Sequence, residues 1–238
     1  MATAVNIIPI SMPNTNFIAG AVWDAQTQSI YAVDFVSPTG VNSIYRYDYN
    51  TGQIYGAQIT GEQSPSFIYP VEGCDNEFVV GLLGVVKVIR WDGVSPTATV
   101  VRTLFEAYGH LNYAYAEKKG RLFTGTLNRT TFCAADNVYA TYRYAKYQLT
   151  TIFTNMKITT GLINYELNKF YHGDACRYQI VELDYDCKTG DVNGHHRQVI
   201  IRLKYDHQKE KHSAKMPADG FMFVRLVDRL LLQELTDG

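Results

Sequence analysis

Apolar and polar residues alternate with a period of two along much of this chain. Two runs show it, Ser43-Ile44-Tyr45-Arg46-Tyr47-Asp48-Tyr49 and Arg121-Leu122-Phe123-Thr124-Gly125-Thr126, and Ser29-Ile30-Tyr31-Ala32-Val33-Asp34 is a further strand-like run with polar ends. A period of two puts successive side chains on opposite faces of a strand. Turn signals such as Asn50-Thr51-Gly52 and Lys188-Thr189-Gly190 bound the runs, so the pattern predicts short antiparallel strands joined by tight turns. His110 to Lys119 is read as a polar loop leading into the Arg121 strand, and that loop holds the candidate functional residues.

The strands recur. Ser43 to Tyr55 and Gln179 to Val192 share one order: Asp-Tyr, a turn ending in Thr-Gly, a polar residue, then Ile or Val. Glu77-Phe78-Val79-Val80-Gly81 and the Arg121 run are weaker copies. With Ile30, Phe78, Leu122 and Phe170 taken as equivalent points, the spacings are 48, 44 and 48 residues. A repeat of this length, each unit a few short strands, predicts a β-propeller. A lone blade leaves both faces bare, and stacking supplies the core. The 238 residues hold about four blades plus a remnant, so an incomplete propeller over residues 1–220 is expected. Residues 221–238 are Leu-rich with interspersed charges and read as a C-terminal helix. That tail either docks a partner or a second copy of the chain, or covers an open blade edge that would otherwise self-associate.

Composition narrows the function classes. The net charge is −1, with no basic stripe, which argues against nucleic acid as a partner. No apolar run reaches the roughly 20 residues of a membrane helix. The start, MATAVNIIPISMP, lacks a basic region and a long apolar stretch, so no secretion leader and a cytoplasmic location are expected. The four cysteines, at 74, 133, 176 and 187, form no C-x-x-C pair and are read as unpaired thiols, with Cys176 and Cys187 the alternative pair across a hairpin. Asn128-Arg129-Thr130 is a glycosylation sequon by pattern and carries no weight in a cytoplasmic chain.

Several pieces, in order, resemble one family. They are Ala19-Gly20-Ala21-Val22-Trp23-Asp24, Tyr31-Ala32-Val33-Asp34, Asn112 with Gly120-Arg121-Leu122-Phe123-Thr124-Gly125-Thr126-Leu127, Ile158-Thr159-Thr160-Gly161-Leu162, Leu183-Asp184-Tyr185-Asp186 with Thr189-Gly190, and Pro217-Ala218-Asp219-Gly220-Phe221. Together they resemble the senescence-marker-protein/gluconolactonase/luciferin-regenerating-enzyme family. The resemblance implies an all-β, six-bladed propeller of the regucalcin type, here incomplete. It further implies a divalent cation (calcium, zinc, manganese or magnesium) that activates water for hydrolysis of a sugar lactone.

The resemblance carries the family's ligand positions over unevenly. Ala19 stands where the first ligand, a Glu, is expected, and Thr160 where an Asn is expected. Asp219 keeps the third position, although Ala218 is inserted before it. Of the substrate loop Arg-x-Asn-Asp, only Asn112 survives, with His110 at the Arg position. Arg129 and Thr130 lie where an acidic substrate contact is expected. The metal and catalytic set implied is therefore Asp219 with a degraded Thr160, and the substrate set Asn112 and His110. Each has a plainer reading: Asp219 as the turn residue before Gly220, Asn112 as a turn former, and His110 as a solvated loop histidine. Adjacent His195 and His196 point to opposite faces of a strand and make a poor chelating pair. Two functions follow as expectations: a cation-dependent lactone hydrolase weakened or lost, or a non-catalytic propeller that binds a partner.

Overall fold

The computed structural model describes residues 10–12, 15–134, 139–177 and 179–199. The strands fall into four consecutive four-stranded meanders, as the repeat predicts. The first blade is β1 (Ile18–Asp24), β2 (Ser29–Asp34), β3 (Ile44–Asp48) and β4 (Ile54–Ile59). The second is β5 (Pro65–Pro70), β6 (Glu77–Leu82), β7 (Val85–Arg90) and β8 (Thr97–Glu106). The third is β9 (His110–Glu117), β10 (Arg121–Leu127), β11 (Tyr139–Ala145) and β12 (Gln148–Met156). The fourth is β13 (Thr159–Asn164), β14 (Lys169–Asp174), β15 (Gln179–Tyr185) and β16 (Val192–Val199). Ile30, Phe78, Leu122 and Phe170 are each the second residue of the second strand of a blade. The repeat read from sequence is thus the structural repeat.

The chain divides into two compact units, Met1–Leu104 and Phe105–Gly238. In the first, Tyr31, Val33, Ile44, Ile68, Phe78, Val80, Ile89 and Trp91 form one buried cluster, with the Trp91 indole N–H donating to the Ser95 carbonyl at 2.8 Å. The outer strands β4 and β8 touch through a short parallel pairing at Gln58–Thr97 and Ile59–Ala98. In the second unit, Phe123, Ile163, Phe170, Leu183 and Tyr185 are the core, and the Phe123 and Phe170 rings sit 5.6 Å apart. Arg121 and Glu117, both nearly fully buried, pair there. The Arg121 guanidinium also donates to the Cys187 carbonyl at 2.8 Å, so the third blade is tied to the fourth.

Two expectations need correction. His110 to Glu117 is strand β9 rather than a loop. Leu111 is fully buried and β9 pairs with β10 along its length, so the polar His110 and Asn112 alternate with core positions. The turn is confined to Lys118-Lys119-Gly120, where the Gly120 N–H donates to the Glu117 carbonyl at 2.9 Å. The cysteines are not all free thiols: Cys133 and Cys176 form a disulfide with Cα atoms 5.3 Å apart, while Cys74 and Cys187 are free. Their separation of 43 residues is close to one repeat, which brings the loops of neighbouring blades side by side. The expected C-terminal helix, the 1–220 boundary and the blade remnant lie outside the described residues.

A buried carboxylate closes the inner hairpin of the first and last of these blades. Asp34, at the end of β2, accepts hydrogen bonds from the N–H groups of Asn16 (2.9 Å) and Phe17 (3.0 Å), just before β1. Asp174, at the end of β14, accepts from Lys157 (3.2 Å) and Ile158 (3.5 Å), just before β13. Each carboxylate also takes the N–H two residues after it, from Val36 at 3.3 Å and Cys176 at 3.1 Å. Removing such an acceptor leaves buried N–H groups unpaired, which costs about 1–3 kcal/mol. Asp34→Ala and Asp174→Ala are each expected to lower stability by about 2–3 kcal/mol in urea unfolding. A change within about 0.5 kcal/mol, as for a surface residue, would contradict this role.

Candidate functional site

The carboxylate fastening sets the places of two sequence-predicted ligand positions. Ala19 lies two residues beyond Phe17 on β1, opposite Val33. Thr160 lies two residues beyond Ile158 on β13, opposite Gly173. Ile18 faces Asp34 and Thr159 faces Asp174, so Ala19 and Thr160 are equivalent positions of the repeat. Ala19 belongs to the first unit; His110, Asn112 and Thr160 belong to the second. Asp219 lies outside the described residues, and the side chains of His195 and His196 are not described.

Within the second unit, Asn112 is set by a bulge. Leu111 pairs with Thr126 and Tyr113 with Gly125, so Asn112 is the extra residue on β9. A bulge re-aims a side chain out of the regular pleat. Here the Asn112 Nδ2 donates to the Thr159 carbonyl of β13 at 2.7 Å, leaving Oδ1 as the amide's acceptor. The structure therefore brings Asn112 to the strand that carries Thr160. The next residue, Tyr113, wedges its ring between the blades, where Gly125 and Gly161 make room. A Cβ on Gly125 would lie 1.8 Å from the Thr159 Oγ1, and one on Gly161 would lie 2.7 Å from the Tyr113 hydroxyl. That hydroxyl is buried, and burial pushes its pKa well above the ordinary tyrosine range.

His110 opens β9 and pairs with Leu127. Its Nδ1 accepts the Arg129 N–H at 3.2 Å, and Arg129 returns an Nη2–H to the Leu111 carbonyl at 3.2 Å. With Nδ1 accepting, the proton of the neutral ring sits on Nε2, and His110 keeps a donor at the position where the resemblance expects an Arg. Burial, with the nearby Arg129 charge second, holds its pKa below the ordinary value.

Chemically, the carried-over ligand positions are poor in charge. A hard divalent cation takes several oxygens and compensating negative charge. Ala19 supplies a methyl group and Thr160 one neutral hydroxyl. Among the described residues, no three of His, Cys, Asp or Glu come together as a metal-holding group. These residues do not fit a divalent cation. Sequence reading also missed the disulfide at this end of the blades. Cys133 lies in the short turn Phe132–Ala134 after β10, and Cys176 in Ala175–Arg177 after β14. The near-repeat spacing was the signal that could have found it.

Burial, with the Arg129 charge second, depresses the folded pKa of His110. The associated stability is full above the ordinary His value of about 6.5 and falls as pH drops below it toward the folded value. His110→Asn keeps an acceptor for the Arg129 N–H but cannot take up the proton. Chemical unfolding between pH 7 and pH 5 is expected to show a smaller loss of stability for the variant than for the native chain. Equal losses would mean that His110 titrates as it does in the unfolded chain.

The comparisons with known proteins agree with this architecture. The family model described as the SMP-30/Gluconolactonase/LRE-like region matches residues 18–229. A luciferin-regenerating enzyme structure matches with a TM-score of 0.69 and 26% identity, over 77% of this chain and 60% of that one. A calcium-binding protein, regucalcin from Agrobacterium tumefaciens, matches with a TM-score of 0.63 and 13% identity, over 76% of this chain and 58% of that one. A gluconolactonase from Xanthomonas campestris matches with a TM-score of 0.57 and 14% identity, over 76% of this chain and 62% of that one. The last two likenesses show the fold alone. The chain thus spans about three fifths of the length of these relatives. None of the curated proteins compared matches it. The matched region takes in all four blades and both equivalent ligand positions, and the chain belongs to the SMP-30/gluconolactonase/LRE-like family with an incomplete propeller fold of the regucalcin type.

Proposed function

We propose that this chain is a non-catalytic member of its family, in which cation-dependent hydrolysis of a sugar lactone has been lost and a partner- or ligand-binding role remains. One observation carries the reading. At the two equivalent inner-strand positions, Ala19 and Thr160, the backbone is held in register by Asp34 and Asp174 while the side chains offer no charge. In each unit the register of the inner strand is kept, and the charged or amide side chain that the resemblance implies is not.

The arithmetic supports loss over tuning. A partner that only orients a metal ligand is worth about 10- to 100-fold in affinity or activity. Two directly ligating positions cost more than that, since each removes an oxygen at fixed distance and Ala19 also removes a charge. Asn112 keeps an open amide oxygen beside the Thr160 strand, and a small polyhydroxylated molecule would find an acceptor there. Without a polarised carbonyl and an activated water, such a molecule is held rather than hydrolysed.

Gluconolactone hydrolysis by the native chain, with millimolar calcium, manganese or zinc, is expected to match the uncatalysed rate. The double variant Ala19→Glu, Thr160→Asn is expected to bind manganese more tightly by about 100-fold or more, read by titration calorimetry. Metal-dependent turnover by the native chain would overturn the reading. A double variant with unchanged affinity would refute the assignment of these two positions.

A further inference from the structure

We propose that Asn128 carries an N-linked glycan, and that the chain matures in an oxidising secretory compartment rather than in the cytoplasm. The first support is the Cys133–Cys176 disulfide. Disulfides persist in oxidising compartments and are rare in cytosolic proteins. The expectation of a cytoplasmic chain rested on the residues at its start; the unpaired thiols expected beside it are not what the structure holds, since two of the four cysteines are paired. The sequon Asn128-Arg129-Thr130 then acquires the context it lacked.

The second support is local geometry. Asn128 follows the last residue of β10, and Thr130 is exposed. The Asn128 Oδ1 accepts the N–H groups of Thr130 at 2.8 Å and Thr131 at 3.0 Å. This turn fixes the side-chain amide by its oxygen. The Nδ2, the atom that takes a glycan, sits on the opposite edge of the amide and makes no hydrogen bond among the described residues. The disulfide begins five residues further on and fastens the same loop to the next blade. A surface loop with a fixed backbone and an unengaged amide nitrogen is a fit acceptor.

The chemistry balances. The Asn128 Nδ2 forms a bond to the anomeric carbon of a lipid-diphosphate-linked oligosaccharide, gives up one proton, and the lipid diphosphate leaves. The disulfide needs two electrons removed from two thiols. An oxidised dithiol protein of the same compartment takes them by thiol exchange and is itself reduced. The modified residue follows Leu127, the strand partner of His110. The proposal stands independently of whether lactone hydrolysis has been lost.

The test takes the full chain from the organism that makes it. Thiols are alkylated before reduction, and chymotryptic peptides are mapped by mass spectrometry with and without peptide-N-glycosidase. The expected result is a glycan on the Asn128 peptide, converted to Asp on enzymatic release, together with a linked Cys133–Cys176 peptide. Re-expressed in a eukaryotic secretory host, Thr130→Ala is expected to lose the glycan and Thr130→Ser to keep it. Both leave the Asn128 side chain in place, so a folding defect at Asn128 cannot mimic the outcome. An unmodified Asn128 in the native protein would overturn the proposal, whether or not the disulfide is present. Alkylated Cys133 and Cys176 would overturn its compartment.

Discussion

Two buried carboxylates place the inner strands of the first and fourth blades. A four-stranded blade must start its innermost strand at a fixed point, or the register of the whole meander is lost. Asp34 and Asp174 do this by collecting the two backbone N–H groups that lead into β1 and β13, along with one from the loop they begin. A carboxylate acceptor satisfies such backbone donors more strongly than a neutral one. Because the fastening sits two residues ahead of Ala19 and Thr160, it also fixes where those side chains stand.

The same constraint separates fold from chemistry. Keeping the register depends on Asp34, Asp174, the Tyr113 wedge between Gly125 and Gly161, and the Arg121 link to the next blade. None of these requires a carboxylate at position 19 or an amide at position 160. A chain can therefore exchange both ligand-position residues without disturbing the hydrogen bonds that build the blades. That independence is why family membership and fold are firm here while the activity of longer relatives does not transfer with them.

Much of the fold was legible because it is periodic. Ile30, Phe78, Leu122 and Phe170 mark the same strand of each blade, and β2 matches the run Ser29–Asp34 residue for residue. The outer strands were not legible for a physical reason. Most of β8 and β12 is exposed on both faces, so burial imposes no alternation on them. His110 to Glu117 looked like a loop because its polar residues sit at a bulge, where Asn112 leaves the pleat to reach Thr159. The disulfide was hidden because cysteine pairing across blades depends on the repeat rather than on local spacing. At the candidate site the residue substitutions could be read from the resemblance. That Asn112 joins the Thr160 strand and that the His110 Nδ1 accepts the Arg129 N–H were not visible in the sequence.

A thermal melt of the native chain tests most directly the proposal that its inner-strand register has outlived the family's cation chemistry. A ligand that binds only the folded state stabilises it by about 2.7 kcal/mol at a hundredfold excess over Kd. With calcium, manganese or zinc at millimolar concentration, the account predicts one cooperative transition at an unchanged Tm. A Tm raised by several degrees in the presence of metal would show that a cation site persists despite Ala19 and Thr160, and would contradict the account.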